Sequence, residues 1–137
     1  MAGIICTGGL SLILQAILNK DSTNEDIKLG LFQNDITPAV GDAIGDYTAA
    51  TFTGFSTVTL TGASWSVTLS DPVLLSYAQQ SFQSSADQAA QTIYGYYMFR
   101  SVALDLLGAE RFSVPQVVQF NGDTIKITPR LYIRNQP

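Results

Sequence analysis

From residue 123 to 133 the side chains alternate with period two: Ile125, Ile127, Leu131 and Ile133 fall on one parity, Thr124, Lys126, Thr128, Arg130 and Tyr132 on the other. Successive strand side chains point to opposite sides of a sheet, so this stretch predicts a half-buried strand with a dry face and a positively charged wet one. Residues 26–33 follow the same rule through Ile27, Leu29 and Leu31, and Asn34-Asp35-Ile36-Thr37-Pro38 supplies turn chemistry at the exit. Residues 55–60 and 64–69 resume it, with Val58 and Leu60, then Trp65, Val67 and Leu69, facing inward across Thr61-Gly62. That pair predicts a hairpin. Asp71-Pro72 breaks the run, and residues 73–82 form a further strand of mixed spacing. Residues 92–99 are apolar on both parities, as in a central strand covered on both faces, and Gly95 allows a close approach there. Residues 104–112 return beside it. A second hairpin is expected through a type I′ turn at Asn121-Gly122, setting Val118 opposite Ile125 and Gln119 opposite Thr124.

The N-terminal end obeys different rules. Residues 1–9 hold three glycines and no period, which predicts an extended arm that adds little to a core. Leu10, Ile13, Leu14, Ile17 and Leu18 then follow the spacing of an amphipathic helix that ends near Asn19. Residues 38–53, with two glycines and two aspartates, predict a long surface loop. Seven or eight short strands after one short helix describe a mainly β fold, an antiparallel β-sandwich or jelly-roll-like barrel. The expected organisation is an arm over residues 1–9 and a single domain over residues 10–137.

Composition narrows the chemistry. The 137 residues include no histidine, one cysteine and 13% charged side chains, while 46% are apolar, enough to build a core. Histidine is the usual acid–base group near neutral pH, so its absence removes the commonest catalytic designs, and no enzyme is expected. The net charge of −4 is uneven: residues 1–71 hold seven acids and two bases, residues 72–137 four acids and five bases. Scattered cations give no basic stripe, so no nucleic-acid partner is expected. A lone cysteine makes no internal disulfide and suits a reducing cytoplasm. The apolar run 10–18 lacks a basic flank and is far shorter than the roughly 20 residues that span a bilayer, so neither a signal peptide nor a membrane partner is expected.

Asp35, Asp42 and Asp46 offer hard oxygen ligands for calcium, but their spacing matches no compact calcium loop, and turn-forming carboxylates are the default. No metal or cofactor is expected. Trp65, Tyr94, Tyr96 and Tyr97 suit either a sugar-stacking platform or packing at a core or interface; the doubly apolar strand favours packing. Cys6, between Ile5 and Thr7, has no histidine or cation to activate it and is expected as a small buried hydrophobe. Glu110-Arg111 suits an ion pair across subunits, yet neighbours on a strand point to opposite faces and serve separate contacts equally well. Gly8-Gly9 is too short to cradle phosphate.

Five segments in order carry a resemblance: residues 27–38 (IKLGLFQNDITP), 50–55 (ATFTGF), 93–97 (IYGYY), 109–112 (AERF) and 121–129 (NGDTIKITP). Together they resemble the capsid decoration and cement proteins of tailed bacteriophages, over roughly residues 10–133. The resemblance implies a jelly-roll-type domain on the outer capsid surface of the virion, made in the host cytoplasm and acting as a dimer or trimer. Its partner is the major capsid protein, whose neighbouring subunits it bridges, and no catalytic residue is implied. The bend at Ser101-Val102-Ala103 lacks the Gly or Asp expected of that turn. The expected contacts are Ile4 and Ile5 in the arm and Lys126, Arg130 and Arg134 on the polar parity. The alternative is a head-fibre or tail-associated adhesin that binds host surface glycans through Trp65 and the tyrosines. A hydrolase built on paired carboxylates finds no suitable pair.

Overall fold

A computed structural model describes residues 4–6, 9, 26–69 and 73–133. Among them are ten strands: β1 (Ile4–Ile5), β2 (Ile27–Phe32), β3 (Val58–Leu60), β4 (Ser66–Thr68), β5 (Val73–Ser76), β6 (Gln80–Gln83), β7 (Gln91–Arg100), β8 (Leu106–Val118), β9 (Thr124–Ile127) and β10 (Arg130–Ile133). The chain is mainly β, its pairings are antiparallel, and its sheets do not close into a barrel.

The doubly apolar segment becomes β7, the middle strand of a five-stranded sheet in the order β1-β8-β7-β2-β3. Gly30 pairs with Tyr97 and Tyr97 with Ala109, so small residues flank the ring in both neighbouring strands. Between the pairs Ile93–Gln116 and Gly95–Arg111, the single residue Tyr94 faces residues 112–115 of β8, which include Pro115. Such a bulge absorbs a residue without an N–H and changes which side of the sheet a side chain meets. Ile93 and Tyr96 therefore join one core, Tyr94 and Tyr97 the other.

The second layer consists of β10-β5-β4 and β6-β9. These short sheets lie end to end: Gln83 pairs with Thr124 through to Gln80 with Ile127, and Ser76 with Arg130 through to Val73 with Ile133. The ladder lapses at residues 77–79 opposite Thr128 and Pro129, where Pro129 has no N–H to give, although its carbonyl still accepts from Tyr77 N at 3.0 Å. This divides the strand expected over residues 123–133, yet its parity survives the break. Ile125, Ile127 and Leu131 are buried, and Thr124, Lys126 and Arg130 are exposed. The main core gathers Leu29, Leu31, Ile93 and Met98 from the large sheet with Phe82, Ile125, Ile127 and Leu131 from the second layer.

The opposite side of the large sheet carries a smaller aromatic core. Residues 38–53, expected as a surface loop, cover it: the Tyr47 ring stacks on Tyr97 at 5.6 Å and meets Phe32 edge-on at 5.1 Å. Side-chain amides hold this segment down. Asn34 Nδ2 donates to Asp46 O and its Oδ1 accepts from Thr48 N, both at 2.8 Å, while Gln91 Nε2 donates to Thr51 Oγ1 at 2.8 Å and its Oε1 accepts from Thr51 N at 2.9 Å. Ala50 and Phe52 are thereby buried in the main core.

Other expectations meet different outcomes. The predicted helix over residues 10–19 lies outside the described residues. The arm does not stand apart, because Ile4–Ile5 pair with Gly108–Ala109 of β8, Cys6 N donates to Leu107 O at 3.1 Å, and Cys6 is wholly buried. Neither predicted hairpin forms: β3 pairs with β2 whereas β4 pairs with β5, and β9 pairs with β6 rather than with β8. A connection that crosses between layers uses the same turn residues as one that folds back. Val67 and Leu69, expected inside, are 55% and 87% exposed beside the short edge strand β4. The Asn121-Gly122 turn is present, closed by Asp123 N donating to Phe120 O at 3.1 Å, but a positive φ occurs at Gly122 (95°) and not at Asn121. That is the signature of a type II turn, not type I′. The bend at residues 101–103 lacks glycine, and Leu104 takes the left-handed conformation instead, at φ 60°.

Candidate docking surface

The wet face of the second layer is set by the alternation of β9 and β10. Lys126 stands opposite Ser81 of β6, and Arg130 stands opposite Ser76 of β5, which in turn faces Ser66 of β4. Lys126 and Arg130 are both exposed. The side chains directly opposite them are short hydroxyls, which do not cover the cations. Tyr132, opposite Leu74, adds a partly exposed ring. Arg134 lies outside the described residues. Ile4 is 36% exposed on the edge strand β1, far from being a free arm, and Ile5 shares that strand.

The aromatic candidates separate. Tyr96 and Tyr97 are 4% and 5% exposed on opposite sides of β7, each inside a core. Tyr94 is half-buried under the Arg111 guanidinium, 5.0 Å from its ring centre. Trp65 is half-buried against the main core, edge-on to Tyr77 at 5.3 Å. These four rings present no common stacking platform.

Glu110 and Arg111 serve separate partners on the two sides of β8. Tyr96 Oη donates to Glu110 Oε2 at 2.7 Å, whereas Arg111 Nη1 lies 2.6 Å from Asp35 Oδ1 and donates to Ile36 O at 3.1 Å. Burial, then the bond to Glu110, holds the Tyr96 phenol well above the ordinary range, so it stays a donor. Asp42 Oδ2 accepts from Ala39 N at 2.9 Å and from Tyr47 Oη at 2.6 Å, and Asp46 Oδ2 accepts from Ala43 N at 2.8 Å. The three aspartates thus act as turn-closing and pairing groups. Among the described residues no group of three or more acidic or cysteine side chains is placed to hold a metal.

A groove the alternation does not reveal runs between β8 and β9. It encloses ≈ 390 Å³ and is lined by Glu110, Phe112, Val114, Thr124, Ile125 and Lys126, among others. Its lining includes residues of the irregular pairing at 112–115, which leaves no periodic trace. Among known proteins, no family model matches the chain, and no curated protein matches it.

Proposed function

We propose that the chain is a structural protein of a tailed-bacteriophage virion, one that decorates the capsid and stabilises it by bridging neighbouring major capsid subunits. The ordered run of five resembling segments carries this reading. In the fold four of those segments are joined: Gly30 of the first pairs with Tyr97 of the third, Tyr97 with Ala109 of the fourth, and Ala50 N of the second donates to Leu31 O at 2.9 Å. Similar residues in one order and one connected unit make a better match than scattered strand vocabulary does. The finer expectations belong to the same proposal: a jelly-roll-type course of the chain, a short N-terminal helix, and a dimer or trimer on the outer capsid surface.

Stabilisation follows from mass action. A protein that binds the assembled shell better than its separated subunits shifts the equilibrium toward the shell by its differential affinity. The test is to mix the purified protein with capsids assembled without it and to measure stoichiometry and the thermal disruption threshold. Saturable binding with a raised threshold is expected. Absence of binding, with recognition of host glycans on an array, favours the adhesin instead.

A further inference from the structure

We infer that the wet face of the second layer is the docking surface, and that it takes an acidic protein surface presenting separated carboxylates; the identity of that surface as the capsid shell rests on the function proposed above. Strands β4, β5, β6, β9 and β10 contain no Asp or Glu, and their only charged side chains are Lys126 and Arg130. The chain as a whole carries −4. Two other cations are neutralised, Arg100 by Asp105 at 3.3 Å and Arg111 by Asp35 at 2.6 Å, and Lys28 lies in the other layer on β2. Among the described residues, neither Lys126 nor Arg130 makes an ion pair.

Two carboxylates close in sequence or across the groove are committed. Asp123, one residue before β9, accepts from Gln119 N and Phe120 N at 2.9 and 2.8 Å, and Glu110, across the groove from Lys126, accepts from Tyr96. The two cations are four residues apart on one parity, which at strand rise is about 13 Å. That exceeds the ~8 Å screening length at physiological salt, so one small anion does not serve both. A polyanion such as nucleic acid is better held by a dense stripe than by two isolated charges. Two surface carboxylates at matching separation, approached over Ser66, Ser76 and Ser81, fit both cations at once.

The experiment compares the full chain with Lys126→Gln/Arg130→Gln and with Thr37→Glu/Ala63→Glu, which makes the same change in net charge at exposed positions off this face. Affinity for capsids lacking the protein is measured at low and raised salt, alongside binding to heparin and to duplex DNA. Melting midpoints check folding, and each single neutralisation stands in if the double variant melts early. The wild type and the control are expected to bind alike, the neutralised variant about tenfold or more weaker, and wild-type binding to weaken with salt. Equal capsid affinity in the neutralised variant overturns the docking surface and leaves capsid decoration standing. No wild-type binding to capsids at any salt overturns both readings, and retention on heparin or DNA in that case assigns the face to a polyanion.

Discussion

A Cβ placed on Gly95 would lie 2.6 Å from Cζ of Phe32 and would run into the backbone oxygen of Glu110. Ring and carbonyl close on Gly95 from the two strands that flank β7, and the carbonyl cannot yield without moving backbone. Gly95→Ala is expected to cost at least about 2 kcal/mol, because overpacking against backbone cannot relax through a side-chain rotation. Gly62→Ala meets nothing within 4 Å, takes no positive φ, and is expected to be nearly neutral. Denaturant midpoints of the two variants provide the check, and similar midpoints would contradict the packing described.

The alternation of β9 sets a second contrast. Ile127 is 5% exposed in the main core, and Ile127→Ala is expected to lower stability by about 2 to 4 kcal/mol through lost burial and a cavity. Lys126→Ala, one position away on the wet face, is expected to change it by less than about 0.5 kcal/mol. Equal losses in urea unfolding would mean that the two faces are exchanged.

Alkaline stability should decline in a definite direction. Burial raises Tyr47, Tyr96 and Tyr97 above the ordinary value of 10.0, with hydrogen bonds to Asp42 and Glu110 adding to it for Tyr47 and Tyr96. The folded chain keeps phenol protons that the unfolded chain releases. This contribution is therefore fully present below pH 10.0 and is lost progressively above it. Tyrosinate absorbance in the folded protein is expected to show only part of the six tyrosines titrating before the fold is lost. Complete titration without unfolding would refute the burial of these hydroxyls.

At the acid end the group to watch is Asp123, whose carboxyl is held below its ordinary 3.8 by the N–H groups of Phe120 and Gln119. A depressed folded value stabilises the fold above the unfolded value and is lost as pH falls through the folded one. Asp123→Asn is expected to reduce the fall in stability between pH 5 and pH 2, roughly the window over which such carboxylates titrate. An unchanged acid limb in thermal melts would count against the Asp123 contacts.

Inside-to-outside order was legible wherever one face alone is buried. The parity of residues 124–133 names Ile125, Ile127 and Leu131 as core and places Lys126 and Arg130 together on the wet face. The doubly apolar β7 announces its central place in the same way. Strand partnership was not legible. Thr61-Gly62 and Asn121-Gly122 suit a return within one sheet, but here they send β4 and β9 to the other layer, and this depends on contacts distant in sequence, such as Phe82 with Ile125. The burial of Tyr47 and Phe52 leaves no local pattern because polar partners far along the chain, Gln88 and Gln91, pin the segment that carries Phe52. The groove beside β8 lies at a bulge, which periodicity cannot encode.

The burial of Cys6 against β8 makes the chain its own reporter. The protein has one thiol, it is fully enclosed, and burial followed by the nearby Asp42 raises its pKa, so reagent reaches it only when β1 leaves the edge of β8 or the segment over it, which includes Ala39 and Tyr47, lifts away. The rate of modification by a thiol reagent thus clocks the local opening of this sheet margin and its cover, without any engineered label. Comparing that clock in the free and the partner-bound protein tells whether docking on the far layer is felt at this edge.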